Sequence, residues 1–319
     1  MSIFSKAIKN LCHRVRLLTL STLLCGTFAN GQQPLPMPAP ELQKLQQYQW
    51  RHGAADCQED KADPIEIFRY DANTYILRQN KCLHYEAPFI YLLLGTEKAL
   101  LLDTGATASA SRFPLFATVT RILEEASAAN TAKPLLVLHS HGHSDHIAAD
   151  QQFQDKAHTQ VVAGNMKAIQ QHFGYGIDGL HWPEDSAQLD LGDRAITLYP
   201  LPGHSDDAIA LFDERTGWLL TGDSLYPGRL YVRDWQAYKH SIARLLKQTR
   251  SLPVTAILGT HIEMSKTAGV DYPMGSTYQP EEAPLPMNYQ VLDTLHQLLQ
   301  TAPDPRRLVS EQFIVQPLD

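Results

Sequence analysis

The run His141-Gly142-His143-Ser144-Asp145-His146 constrains this chain more than any other feature. It places three imidazoles and a carboxylate within six residues, directly after the apolar stretch 135–138. A buried strand that ends in such a run presents donor atoms at its mouth. Imidazole and carboxylate are the ligands that a borderline divalent ion such as zinc prefers. Residues two apart in an extended loop point the same way, so His141 and His143 can serve one ion. Asp145 and His146 lie further round the turn and point at a neighbouring position.

Four more short motifs share this form. They are Leu101-Leu102-Asp103-Thr104-Gly105 upstream, and Pro202-Gly203-His204-Ser205, Thr221-Gly222-Asp223-Ser224 and Gly259-Thr260-His261 downstream. Each follows an apolar stretch and sits at a turn marked by Gly or Thr. This ordered set resembles the metallo-β-lactamase superfamily of hydrolases, over roughly residues 65–262.

The resemblance implies an α/β fold: a four-layer αββα sandwich of two mixed sheets with helices outside. It also implies two zinc ions per chain. His141, His143 and His204 would bind the first, Asp145, His146 and His261 the second, and Asp223 would bridge them. Ions about 3.5–4 Å apart can hold a hydroxide between them as a nucleophile near neutral pH, with Asp145 and Asp223 in the catalytic set. A ligand imidazole needs an acceptor for its far ring nitrogen, and Asp103 at its strand end is the candidate. In lactone hydrolases of this superfamily a Tyr matching Tyr226 can hydrogen-bond the developing oxyanion, and that role is carried over to Tyr226. Sliding the histidine register back by two would put His143 where Asp145 belongs, so His139 is a strand-end residue beside the site.

Asp223 also sorts the branches. The antibiotic-degrading β-lactamases generally carry Cys or Ser at the bridging position. Hydroxyacylglutathione hydrolases and lactone hydrolases carry Asp. Glyoxalase-type enzymes end in a helical domain with basic residues for glutathione. Here fewer than 60 residues follow His261, with few bases near the expected site, which counts against a glutathione thioester. The expected activity is therefore hydrolysis of an ester, lactone or related acyl bond in a small molecule. The alternatives are a one-iron persulfide dioxygenase, a β-lactamase and a non-catalytic metal-binding scaffold. The last would have no need of all seven donors.

Residues 1–31 differ from the rest. Lys6, Lys9, Arg14 and Arg16 precede an apolar run over 17–28, and Thr27-Phe28-Ala29 offers small residues for cleavage. This predicts a signal peptide and export to the periplasm or outside the cell, with no membrane anchor left after cleavage. The run is short for a membrane span. Cys25 lacks the small preceding residue of a lipidated cysteine. Cleavage removes four positive charges and no acid, taking the net charge from −7 to −11. Such a surface repels nucleic acid and anionic membranes. Cys57 and Cys82 are the cysteines that remain; an isolated pair in an oxidising compartment suggests one disulfide, the alternative being two separate thiols, since neither spacing nor context fixes the geometry.

The expected order is a leader and extension over 32–60, then a hydrolase domain over 61–319. Strands are expected at 65–68, 74–77, 89–94, 99–102, 135–138, 161–162, 196–198, 209–211, 218–220 and 254–258. A short helix is expected over 41–50. Further helices follow from Phe116, Val119 and Ile122, from Trp235, Tyr238, Ile242 and Leu245 with Asp234 as cap, and from Leu292, Leu295 and Leu299. Segments 174–193 and 263–288 lack periodicity and are expected to overhang the site. The second is a lid loop that leads, with the closing helix, to residue 302.

Overall fold

In the computed structural model the described residues are 39–126, 133–177 and 179–318. The expected signal peptide over 1–31 and the leader as far as residue 38 lie outside them. Residues 38–319 form one compact unit.

The first sheet has the order β1-β2-β3-β4-β5-β6. Its strands are β1 (Ile65–Asp71), β2 (Thr74–Gln79), β3 (Phe89–Leu94), β4 (Ala99–Leu102), β5 (Leu135–Leu138) and β6 (Thr159–Val161). The first four run antiparallel, and β4, β5 and β6 are parallel. The second sheet has the order β12-β10-β9-β8-β7. It comprises β7 (Ala187–Asp190), β8 (Ala195–Pro200), β9 (Ile209–Asp213), β10 (Trp218–Gly222) and β12 (Ala256–Gly259). Both sheets are mixed, as the sequence implied.

Strand periodicity explains the layering. Leu100, Leu102, Leu136 and Leu138 pack in one cluster with Ile196, Leu198, Ile209, Leu211, Leu220 and Leu258 of the other sheet. Their neighbours Leu101 and Val137 face the other way, onto Leu115, Val119 and Ile122 of helix α2 (Leu115–Ala126). On the far side Phe212, Leu219 and Ile257 meet α5 (Trp235–Thr249) and α6 (Gln290–Gln300). Strands buried on both faces read as continuous apolar runs, and this yields the four layers α, β, β, α. Asp234 caps α5 through the Ala237 N–H at 2.9 Å, and the short helices α3 (Ser144–Ile147) and α4 (Met166–Phe173) follow β5 and β6.

Several elements carry no legible sequence signal. β11 (Arg229–Val232), β13 (Leu308–Val309) and β14 (Ile314–Pro317) form a third sheet in the order β11-β14-β13. Segment 174–193 differs from expectation. It contains β7, which pairs with β8, and its Glu184 carbonyl and carboxylate meet Gln248 and Arg244 of α5. It therefore lines the edge of the second sheet and the outside of α5.

Segment 263–288 is tied down at both ends. Glu263 and Met264 donate to the Pro227 carbonyl, Arg229 binds Glu263 and Asp271, and Glu282 receives a bidentate pair from Arg78 at 2.6 and 2.7 Å. The N-terminal extension is docked as well. Helix α1 (Pro40–Gln47) buries Leu42 and Leu45, and Trp50 packs edge-on against Phe89. Cys57 and Cys82 form a disulfide.

Candidate metal centre

The seven side chains named from the sequence converge beyond the ends of β5, β8, β10 and β12. Close backbone approach shapes the loops that carry them. A Cβ on Gly142 would meet the Gly164 carbonyl oxygen at 2.1 Å. Gly203 sits at φ +144, and a Cβ there would lie 2.4 Å from the Tyr238 Cα. Glycine at 142 and 203 lets His141, His143 and His204 approach one point.

Four of the five imidazoles are oriented from behind. His204 donates from Nδ1 to the Tyr231 carbonyl at 2.7 Å, and His261 donates from Nδ1 to the Glu86 carbonyl at 3.0 Å. A carbonyl accepts and never donates, so Nδ1 carries the proton in both rings and the neutral ring keeps its lone pair on Nε2. His146 presents Nδ1 to the Asp103 carboxylate at 3.0 Å. Asp103 also accepts from the Ser140 N–H at 2.7 Å and hydroxyl at 2.8 Å. That hydroxyl is then free to accept from His141 Nδ1 at 3.2 Å. Asp103 thus lies against the far ring nitrogen of His146, at φ +72, where Asp is among the residues that tolerate left-handed backbone.

The inward faces form two groups. His141 Nε2, His143 Nδ1 and His204 Nε2 lie 2.9, 3.0 and 3.2 Å apart. Asp145, His146, Asp223 and His261 form the other, with ligand atoms all within 4.8 Å of one another. Asp145 Oδ2 is 3.0 Å from His146 Nε2 and 3.3 Å from His261 Nε2. Asp223 lies between the groups. Its Oδ1 is 3.2 Å from His261 Nε2 and 3.5 Å from His146 Nε2, and its Oδ2 is 3.6 Å from His204 Nε2 and 3.9 Å from His141 Nε2.

The donor set fits divalent cations. Three lone pairs converging within 3.2 Å cannot all be satisfied by one shared proton; a cation satisfies them together. Burial lowers the His141 pKa well below its ordinary value, which keeps that ring neutral and able to donate its lone pair. Burial pushes Asp223 and Asp145 upward, but the positive charge of protonated His146 and His261, whose own pKa values these carboxylates raise well above the ordinary one, outweighs it and holds both carboxyls well below the usual range. A cation in the site would supply that charge with both rings neutral. His143 and Asp145 are the partly exposed members of the set, so the site opens on their side.

Tyr226 departs from expectation. It is buried, its ring lies against His261 at 5.5 Å between centroids, and its hydroxyl donates to the Arg229 carbonyl at 2.5 Å. Glu263 Oε2 is a further 3.2 Å contact. The proton expected to reach an oxyanion is committed to the backbone of β11. His139 is buried behind the site with Nε2 3.2 Å from Asp150, in line with its reading as a flanking residue.

Comparison with known proteins agrees with the geometry. A sequence profile described as the metallo-beta-lactamase superfamily matches residues 86–261. The chain belongs to the metallo-β-lactamase superfamily. Among curated relatives within reach, hydroxyacylglutathione hydrolase of Anaeromyxobacter dehalogenans (strain 2CP-C) is 31% identical over 143 residues, covering 43% of this chain and 46% of that protein. Acyl-coenzyme A thioesterase MBLAC2 of Homo sapiens is 26% identical over 180 residues, covering 47% of this chain and 61% of that protein. The matches to these superfamily members thus span about half of their length. A crystal structure titled a metallo-beta-lactamase from Erythrobacter litoralis superposes with a TM-score of 0.50 at 16% identity, covering 76% of this chain and 99% of the other. At that identity it speaks for the superfamily fold alone.

Sequence reasoning missed the acceptors behind the site. Glu86 and Tyr231 act through main-chain carbonyls, which every residue type carries. Ser140 and Thr260 were the accessible signals, because each is a hydroxyl next to a named histidine.

Proposed function

We propose that this chain is an exported hydrolase that holds two zinc ions and cleaves an ester, lactone or thioester in a small molecule. The observation that carries this reading is the position of Asp223, one oxygen turned to the three-histidine group and the other to the Asp145–His146–His261 group. A carboxylate so placed ties two cation positions into one centre. The chemistry such a cation pair supplies is Lewis acidity: activation of water near neutral pH and polarisation of an acyl carbonyl.

The residues of the chain do the rest. Asp103, Ser140, Tyr231 and Glu86 hold four imidazoles in the tautomer that donates inward. Asp145 stays ionised at the open side of the site. The relatives named a hydroxyacylglutathione hydrolase and an acyl-coenzyme A thioesterase bring thioesters into the substrate class. Export is supported by the basic and apolar pattern of residues 1–31 and by the Cys57–Cys82 bond.

Metal quantification with a screen of lactones, aryl esters, thioesters and β-lactams tests the reading. Two zincs per chain with acyl-bond turnover support it. One iron per chain with persulfide oxidation overturns it, and β-lactam turnover in preference to the other classes overturns the substrate assignment. Asp223→Ala is expected to lose metal and activity together.

A further inference from the structure

We propose that Thr260 is a positioning residue: its hydroxyl fixes the turn of the Asp223 carboxylate and so holds one oxygen toward each half of the centre. The proposal rests on the metal-dependent reading above and goes one layer beyond it.

A carboxylate rotates easily about its last bond, because sp³–sp² torsions are broad. Nothing within Asp223 itself selects the orientation in which Oδ1 faces His146 and His261 while Oδ2 faces His141 and His204. The Thr260 hydroxyl makes that selection by donating to Oδ1. Among the described residues no other hydroxyl or amide donates to this carboxylate. Thr260 is fully buried, so water does not compete for its proton. Hydrogen bonds to an ionised acceptor are among the stronger ones.

The hydroxyl is also held still. Three consecutive residues, 259 to 261, are fastened to one stretch of chain around the start of β3. The Tyr91 hydroxyl donates to the Gly259 carbonyl at 2.5 Å. The Phe89 N–H donates to the Thr260 carbonyl at 2.7 Å. His261 Nδ1 donates to the Glu86 carbonyl at 3.0 Å. The β-branch of Thr260 narrows its own side-chain rotation as well. A rigid backbone and a stiff side chain aim one proton at one oxygen. Site geometry of this kind depends on a support that does not itself give way.

The simpler account is that Thr260 donates to Asp223 because a buried hydroxyl needs some acceptor. The two accounts differ in what they expect of cation binding. If Thr260 positions Asp223, removing the hydroxyl lets both oxygens turn together, and the centre that they join loses cation affinity. If it merely satisfies itself, cation affinity is unchanged.

The test uses the full chain, stripped of metal, titrated with zinc against a competing chelator, as wild type, Thr260→Val, Thr260→Ala and Thr260→Ser. Thr260→Val and Thr260→Ala are expected to weaken zinc binding by about tenfold or more. Thr260→Ser is expected to restore it. Turnover of the best acyl substrate should fall in kcat with KM held, since Thr260 is out of reach of substrate. Where Thr260→Val misfolds by circular dichroism, Thr260→Ala decides. Hydroxyl-free variants that bind both equivalents as the wild type does overturn the proposal while the metal-dependent reading stands. A wild-type chain that takes up no zinc overturns both.

Discussion

Glu86 and His261 stand 175 residues apart in sequence and meet through one hydrogen bond, from the ring Nδ1 to the main-chain carbonyl at 3.0 Å. The acceptor belongs to the loop between β2 and β3. That loop carries Cys82, disulfide-bonded to Cys57 of the N-terminal extension. Lys81 of the same loop donates to the Tyr85 carbonyl and pairs with Glu282. The orientation of one candidate ligand therefore depends on segments outside every histidine motif.

The bond between Cys57 and Cys82 spans 25 residues, and closing a loop of that length stabilises a fold by about 3.5 kcal/mol through the unfolded chain. Cys57→Ser/Cys82→Ser is expected to lose about that much in urea unfolding and to weaken the zinc equivalent that depends on His261. Unchanged zinc affinity in a variant that has lost the stability would show that the Glu86 carbonyl stays in place without the bond.

Asp103 accepts from Ser140 twice and from His146 once, at 2.7 to 3.0 Å, with no exposure to solvent. Asp103→Asn keeps the shape but replaces one accepting oxygen with a donor. Outer partners of metal-binding histidines are typically worth about 10–100-fold in affinity, and a loss in that range is expected by chelator competition. Affinity within about twofold of wild type would remove Asp103 from the centre.

The side-chain donors were legible because chemistry restricts them to a few residue types at fixed spacing. His141, His143, Asp145, His146, His204, Asp223 and His261 are recognised by identity alone. The long strands were legible for a similar reason: β3 and β5 are buried throughout and read as apolar runs. What stayed hidden is what sequence identity does not encode. The carbonyls of Glu86 and Tyr231 could belong to any residue. β13 has two residues and β11 four, too few for a period to show. Tyr226 lies beside His261, and Arg229 and Glu263 decide where its hydroxyl points.

Tyr226→Phe separates the expected oxyanion role from the observed one. A donor to a developing oxyanion is worth about 10²–10³-fold in kcat. With the hydroxyl held by the Arg229 carbonyl, the loss in kcat is expected to stay under about tenfold. Stability should fall by about 1 kcal/mol for the lost hydrogen bond. A hundredfold loss of kcat with metal content intact would restore the oxyanion role.

Lys81 makes stability rise with pH, the same direction as in acid denaturation, but in the alkaline range. It is buried beside Arg78 and Glu282, with Glu263 also acting on it. Burial first, and then the Arg78 guanidinium, lower its pKa from 10.5 to about 8, against the pull of Glu282. Between pH 8 and 10.5 the unfolded chain carries this proton and the folded chain does not. Stability from this group therefore rises with pH across that window, and the cost of burying the charge is fully present below it. A shift of this size is worth at most about 3.4 kcal/mol. In Lys81→Met the Arg78–Glu282 pair remains and the titrating proton is gone. Urea unfolding of wild type and Lys81→Met at pH 7.5, 9 and 10.5 should give a difference that favours the variant at the lowest pH and shrinks as pH rises. Parallel curves would mean that Lys81 keeps its proton throughout, with Glu282 outweighing burial.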